Sequence, residues 1–425
     1  MVNLAIIGAG VGGCAAAFFA SKIFPNLKVT IFDLSDRVGG RVLTQAIGSM
    51  KLELGAAFFN TANKTVLNVV EDLGLKVREV EERADFGIWN GSDFLLKSNK
   101  NIILTLSKLF LRYGLNIVKM QSLLKEIRGQ VKNLYEAEQK NPVEMNELFK
   151  FAGLDGFYRK KLDEILAEWS IDESFINEVI TPITRIIYSQ NADMGGFAGL
   201  SSLISVYTGK TYNFIEGNSV FPKRLMNASN SELLFSQNVR SIEKKNDGSY
   251  RISVENKTST FDGVIIATPL ELTGLALDGI SMTEYHPREY RRVYIQVIQG
   301  KAIPSFFGSK DTGSLPRMIL TTSETKQIMH IATLRLANGE DLMTISSTEL
   351  LPDDILDGMI RNRYVILEHS WNAAYPLFKP IDNIPHSRLD ERLMYLNSLE
   401  SAVSSMETSV FSALNAIRMM KDELR

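Results

Sequence analysis

Cysteine is almost missing from this 425-residue chain: Cys14 stands alone, so neither an intramolecular disulfide nor a cysteine-rich metal site can form. Histidine is scarce too. The four, His286, His330, His369 and His386, lie scattered without ligand spacing or a nucleophile motif, so they read as structural or surface residues and no metal is expected. No sign of charge prevails. With 47 basic and 49 acidic residues the formal net charge is −2, which gives nucleic acid no long-range attraction. The start, Met1-Val2-Asn3, runs straight into an apolar strand without the basic and apolar regions of a secretory signal. What remains is ordinary globular material, 45% hydrophobic and 23% charged, too long for one simple core. Two interlocked domains are expected.

Leu4-Ala5-Ile6-Ile7 is a short apolar run stopped by glycine. Residues 12–23 form an alanine-rich helix broken by Pro25-Asn26, and Val29–Asp33 is a second apolar strand, a βαβ opening. Gly8-Ala9-Gly10-Val11-Gly12-Gly13 places glycines in GxGxxG order between the first strand and the helix. Gly8 permits the tight turn, Gly10 lets backbone approach a diphosphate, and Gly13 lets helix and strand pack closely, with Gly12 beside it at the helix start. Cys14 reads as small buried filler. Asp33 ends the second strand 20 residues beyond Gly13, where a carboxylate can accept from a ribose hydroxyl.

These features suit NAD and FAD alike. The next segment separates them: in Asp36-Arg37-Val38-Gly39-Gly40-Arg41, Gly39 and Gly40 let a loop fold over the diphosphate and Arg41 supplies charge-assisted donors. A soluble NAD dehydrogenase has no need of this clasp.

From about residue 100 to 208 apolar residues recur at helical spacing, punctuated by Pro142, Gly153 and Pro182. Strands return over 232–267, with a hairpin signal at Asn246-Asp247-Gly248, and near 292–299, 317–321, 327–335 and 341–347. Residues 400–422 read as a long closing helix. The fold class is therefore α/β, a Rossmann-type FAD-binding domain interleaved with a substrate domain of mixed sheet and helices. The first takes residues 1–60, 213–270 and 390–425; the second takes 61–212 and 271–389, with the helical insert at about 100–208. Residues 102–125 combine apolar Ile103, Leu106, Phe110 and Leu111 with basic Lys108, Arg112, Lys119 and Lys125. That stretch fits either a core-packed helix or peripheral contact with a bilayer interface, and its charges exclude a span.

The double-glycine loop with Arg41, followed by Glu53-Leu54-Gly55-Ala56-Ala57, resembles the flavin amine oxidase superfamily. The resemblance implies that Gly55, Ala56 and Ala57 lay backbone against the isoalloxazine ring. It makes Phe261–Pro269, with Ala267, the returning strand of the FAD domain, and gives Val239 a backbone contact to adenine. It has Glu400 hold the ribityl chain and sets Met406 in the first turn of a closing helix whose dipole stabilises reduced flavin. Within the superfamily, Thr181–Gln190 and Trp371–Pro380, continuing to Tyr395–Glu400 and Ser405–Ser409, look like the prenylcysteine oxidase (prenylcysteine lyase) family, and the resemblance spans about residues 3–420.

What this implies is oxidation of S-farnesyl- or S-geranylgeranylcysteine by FAD and O2 to cysteine, a prenal aldehyde and hydrogen peroxide. Hydride leaves the carbon beside sulfur, water adds, and the hemithioacetal collapses. The flavin carries the difficult step, so no catalytic side chain is demanded. The flavin is expected to be non-covalent, because Cys14 lies too near the diphosphate loop to form a link. Arg185 and Tyr188 could meet the amino-acid end of the substrate or only tie helices together. Phe58, Phe59, Trp371 and Tyr375 could wall the flavin pocket or only pack. By family resemblance the compartment is the lysosome or secretory pathway. Two other functions fit the same motifs: a flavin oxidase or desaturase acting on an amine or isoprenoid, and a flavin-binding protein without turnover.

Overall fold

The computed structural model describes residues 2–80, 85–98, 102–207, 209–255, 257–280, 282 and 285–424, without the side chains of 102–106. It is α/β. Strand β1 (Asn3–Ile7) lies at the centre of a six-stranded sheet, parallel to β2 (Lys28–Phe32) on one side and to Gly263–Ile266 on the other. Glu232–Leu234 extends the sheet beyond β2, Leu393–Tyr395 beyond Gly263–Ile266, and Arg388–Asp390 closes it as an antiparallel edge. A parallel sheet needs cover on both faces. The period of two supplies it: Leu4 and Ile6 join the core under helix α1 (Val11–Ile23), while Ala5 and Ile7 join the core under a small sheet formed by Val239–Lys244, Tyr250–Val254, Lys257–Phe261 and Ala276–Asp278.

Helix α1 can lie close because Cys14, Ala15, Ala16, Ala17 and Ala20 are all small and wholly buried. At Gly13 a Cβ would stand 1.9 Å from the Gly8 carbonyl oxygen, so only glycine permits the approach.

A second sheet has seven strands in the order Ile360–Pro376, Tyr290–Ala302, Asp341–Ser347, Ile328–Arg335, Met318–Thr321, Phe86–Trp89, Phe94–Lys97. The hairpin Thr44–Ile47 and Met50–Glu53 leans on it, with Leu54 packed among Val293, Ile295 and Ala374. The helices between Ile102 and Tyr207 share their own core, built on Leu123, Leu124, Ile127, Leu148 and Leu200.

Three expectations change in the structure. The closing helix begins at Met406, not near 400, because Ser405 is extended and its hydroxyl accepts from the Thr408 amide while Thr408 accepts from Ser405 in return. Glu400 consequently sits on a preceding 3-10 turn, Leu396–Ser401. Pro182 does not interrupt: helical backbone runs on from Glu173 through a π-helical turn, Ile176–Ile180, into Thr181–Tyr188, with proline at the second position of that last stretch. Finally, Ile360–Pro376 is a 17-residue strand paired with Tyr290–Ala302, although only Ile360, Ala374 and Pro376 in it are fully buried and charged residues break up its apolar ones.

The glycine contacts predict a sharp contrast. Gly13→Ala should destabilise the apoprotein by about 3 kcal/mol or more in urea unfolding. Gly12→Ala, whose Cβ would meet its first neighbour, the Leu396 side chain, at 3.6 Å, should cost less than about 1 kcal/mol.

Candidate functional site

A cavity of about 490 Å³ opens at the glycine loop and continues onto the face of the seven-stranded sheet. At its nucleotide end Gly8 has φ +107°, and a Cβ there would meet the Ala267 carbonyl oxygen at 2.8 Å. Gly10 caps α1 without a side-chain cap, and no acid stands in the first turn, so the helix amides are left for an anion at the wall formed by Gly10, Val11 and Gly12. Asp33 lines the same end. Its Oδ2 accepts the Ala9 amide at 2.5 Å and its Oδ1 accepts the Ser35 amide at 2.8 Å, which fixes the carboxylate against the glycine loop.

The clasp folds back as the glycine pair suggests. The Gly39 amide donates to the Ala9 carbonyl at 2.9 Å, and a Cβ on Gly40 would meet the Gly10 Cα at 3.1 Å. Gly39 and Gly40 have φ +123° and +56°. Side chains are excluded from this cradle, as a bound diphosphate requires, so the residues fit the nucleotide. Arg41 lines the cavity, donates to the Ala374 carbonyl at 3.2 Å and pairs with Glu400.

Glu400, expected to hold a ribityl chain, does not reach the wall. Besides Arg41 it accepts from Asn397 at 2.8 Å, Ser404 at 3.1 Å and Tyr290 at 3.3 Å, with Arg288 3.7 Å away. Burial raises its carboxyl, but the Arg41 and Arg288 charges outweigh this and hold it below the usual range. Its place on the 3-10 turn makes it the counter-ion that positions Arg41. Val239 is likewise away from the cavity, packed with Val254 and Phe261 beneath the small sheet. Gly13 acts through packing alone.

Next along the wall come Gly55, Ala56 and Ala57. A Cβ on Gly55 would stand 2.0 Å from the Arg41 carbonyl oxygen, and the Ala56 amide donates to that oxygen at 3.2 Å. Asn218 braces this turn in full burial: its amide donates to Glu53 at 2.9 Å and its side chain to the Ala56 carbonyl at 2.8 Å. No motif marked Asn218 for that task. Ala267 and Met406 also line the cavity. Glu407, one residue on, accepts the Thr65 and Val66 amides at 2.7 and 2.8 Å and the Tyr135 hydroxyl at 2.7 Å, locking the closing helix to its neighbours.

Phe58, Phe59, Trp371 and Tyr375 all line the cavity. Trp371 donates to the Leu54 carbonyl at 2.5 Å. Tyr188 lines it too, edge-on to Tyr375 at 5.4 Å, with its hydroxyl on the Ser404 carbonyl at 2.9 Å. Arg185 does not. Its guanidinium is consumed by Thr321 at 3.1 Å, Asn191 at 2.9 Å, Thr325 at 2.9 Å and the carbonyls of Lys326 and Ile328 at 3.0 and 2.8 Å. It ties helix Thr181–Tyr188 to the sheet. His330, by contrast, is a cavity residue rather than a structural or surface one.

A sheet with a glycine loop, an acid at the end of its second strand, a second glycine clasp and a cavity running onto a separate sheet define a FAD-dependent oxidoreductase. Residues 6–73 match the NAD(P)-binding Rossmann-like domain and residues 96–425 match prenylcysteine lyase. The chain belongs to the prenylcysteine lyase family. It is 27% identical to farnesylcysteine lyase of Arabidopsis thaliana, covering 98% of this chain and 88% of that protein, and 28% identical to prenylcysteine oxidase 1 of Homo sapiens, covering 97% and 88%. Among solved structures, cyclohexylamine oxidase from Brevibacterium oxydans IH-35A shares the fold at TM-score 0.64 and 15% identity over 100% of this chain and 99% of that one. Putrescine oxidase with bound putrescine does so at 0.64 and 13%, over 99% and 98%.

Two substitutions separate cofactor binding from scaffolding. Asp33→Ala should weaken FAD binding to the apoprotein about tenfold, or ~1.4 kcal/mol, in a fluorescence titration. Arg185→Leu should leave FAD affinity within about twofold while lowering stability by about 3 kcal/mol, because five acceptors, the buried Thr321 hydroxyl and Ile328 carbonyl among them, lose their donor.

Proposed function

We propose that this protein is a FAD-dependent thioether oxidase that cleaves S-farnesyl- or S-geranylgeranylcysteine to cysteine, a prenal aldehyde and hydrogen peroxide, with O2 as acceptor. The observation that carries this reading is the single cavity joining the diphosphate cradle to an apolar sheet face, in a chain whose family relatives are named for farnesylcysteine and prenylcysteine.

On this reading Gly8, Gly10, Gly12, Asp33, Gly39, Gly40, Arg41, Gly55, Ala56, Ala57, Ala267 and Met406 hold the FAD, which when bound supplies the two-electron acceptor. The cofactor-binding unit comprises residues 1–60, 213–270 and 390–425, and the substrate unit 61–212 and 271–389. Binding is non-covalent: the Cys14 thiol is buried against the Ala9 carbonyl at 3.4 Å, and burial pushes its pKa up. Ile186, Ile187, Val293 and Ile295 offer the prenyl chain an apolar wall, and each methylene buried there contributes about 0.8 kcal/mol. The aromatic rings of Phe58, Trp371 and Tyr375 wall the pocket and shield the carbon beside sulfur from bulk solvent. The thioether is favoured over the amine because the family relatives are named for farnesylcysteine and prenylcysteine.

A greasy substrate also gives purpose to the outer face of helices Ile102–Tyr113 and Asn116–Lys140. Phe110, Leu111, Leu115 and Val118 are 48–85% exposed there, with Lys108 and Lys125 exposed nearby, while Leu123, Leu124 and Ile127 face the core. This is the pattern of a helix resting on an anionic bilayer surface. The side chains of Ile103 and Leu106 lie outside the described residues.

Two measurements check these readings. Anaerobic addition of S-farnesylcysteine should bleach the flavin, and readmitted O2 should yield one peroxide per thiol, whereas polyamines and aromatic amines should do neither. A colourless protein that releases no flavin on denaturation refutes the enzyme reading. The double substitution Phe110→Ser with Leu111→Ser should reduce cosedimentation with phosphatidylserine vesicles several-fold, equivalent to ~1–2 kcal/mol, and leave turnover of a detergent-soluble substrate intact.

A further inference from the structure

His330 lies on strand Ile328–Arg335 directly opposite Ser346, which in turn lies opposite Ile295, so the three form one row across adjacent strands and all line the cavity. Directly opposed residues have Cβ atoms about 5 Å apart. Thr344 reaches the same wall two residues from Ser346. Around this row the sheet presents Val293, Trp371 and Tyr375, so a small polar spot is set in an otherwise apolar surface. Among the described residues, nothing hydrogen-bonds the side chains of His330, Ser346 or Thr344. The Nδ1 atom of His330 is sealed in the sheet without a partner, which leaves Nε2 to the cavity.

Every other strong acid or base on this wall is committed. Asp33, Glu53 and Glu407 are engaged as described, and Arg41 is held by Glu400. Tyr375 keeps its proton, since burial raises its phenol. A polar spot with free hydrogen-bonding capacity, facing apolar walls and large enough for a small molecule, is a site for water.

Resting on the thioether oxidase reading, we infer that His330, with Ser346 beside it, holds the water that adds to the oxidised carbon and carries that water's proton to the departing sulfur. FAD, when bound, would supply the acceptor for the hydride lost from the carbon beside sulfur, and the substrate would be left as a cation shared between that carbon and sulfur. The water oxygen forms the new C–O bond, one of its O–H bonds breaks, and that proton passes to Nε2. In the resulting hemithioacetal the C–S bond breaks and its electron pair goes to sulfur. Sulfur takes the Nε2 proton, the hydroxyl proton leaves to solvent as the carbonyl forms, and the imidazole returns to its starting state. The products are aldehyde and free thiol, with one proton released.

Burial pushes the imidazole down to about 4, and both halves of the step exploit this. A neutral ring does not repel the developing cation. A weak base suffices, because water becomes strongly acidic once its oxygen is bonded to that carbon. The imidazolium, disfavoured by its surroundings, then surrenders the proton readily to sulfur.

The test follows two signals in one anaerobic turnover of the holoenzyme with S-farnesylcysteine: flavin bleaching, which reports hydride loss, and free thiol, trapped with a chromogenic disulfide. In His330→Gln, with flavin content matching the parent, bleaching should keep its rate within about threefold while thiol release slows on the order of 100-fold. Ser346→Ala should slow thiol release alone, by a smaller factor. Thiol release that keeps pace with bleaching in His330→Gln overturns the inference. So does an equal slowing of both signals, which would give His330 a role in binding or packing. If the unsubstituted holoenzyme fails to bleach, the substrate reading falls and this inference with it, an outcome distinct from the other two.

Discussion

Backbone pressed against backbone, with no side chain between, is the constraint on which this molecule rests. Gly13 against the Gly8 carbonyl sets α1 on the sheet, Gly40 against Gly10 sets the clasp on the loop, and Gly55 against the Arg41 carbonyl sets the next turn on the clasp. Each contact fixes the starting point of the one after it. Together they leave a trough of main-chain amides, with the Asp33 carboxylate at one end of it and the Arg41 guanidinium at the clasp.

The trough was legible in the sequence for a physical reason. Where function is performed by main chain, the requirement falls on residue type and spacing, and both are written linearly. The buried parallel strands β1 and β2 were legible on the same ground, since a strand covered on both faces must be apolar throughout. Side-chain function is different, because a partner hundreds of residues away decides it. Arg185 and Tyr188 stand together in one family-like segment, yet the tertiary neighbours of Arg185 consume it and those of Tyr188 bring it to the cavity. Glu400 was placed on a helix that Ser405 starts five residues later, and its partners, Arg41 and Arg288, come from distant segments. His330 carried no motif at all. Only the pairing of strand Ile328–Arg335 with Asp341–Ser347 turns it toward the cavity. The long strand Ile360–Pro376 was illegible because most of it is only partly buried, so charged and polar residues are interspersed among its apolar ones.

The two sheets divide the chemistry between them. The parallel sheet contributes main-chain donors and treats its ligand as an anion to be gripped. The larger sheet contributes side chains, mostly apolar with one polar row, and on the proposed function it meets its ligand as a chain to be desolvated. The thioether oxidation we propose needs both at once, a rigid acceptor and a substrate shielded from bulk solvent.

Strand Ile360–Pro376 is stitched to the loop beside the cofactor trough at two points, Trp371 to the Leu54 carbonyl and Arg41 to the Ala374 carbonyl. Those stitches close the seam between the sheets. The opposite wall is helical, with Ile186, Ser201 and Ser205 lining the cavity from Thr181–Tyr188 and Gly196–Tyr207. One side of the chamber is thus held by strand ladders tied to the cofactor loop, and the other by helices.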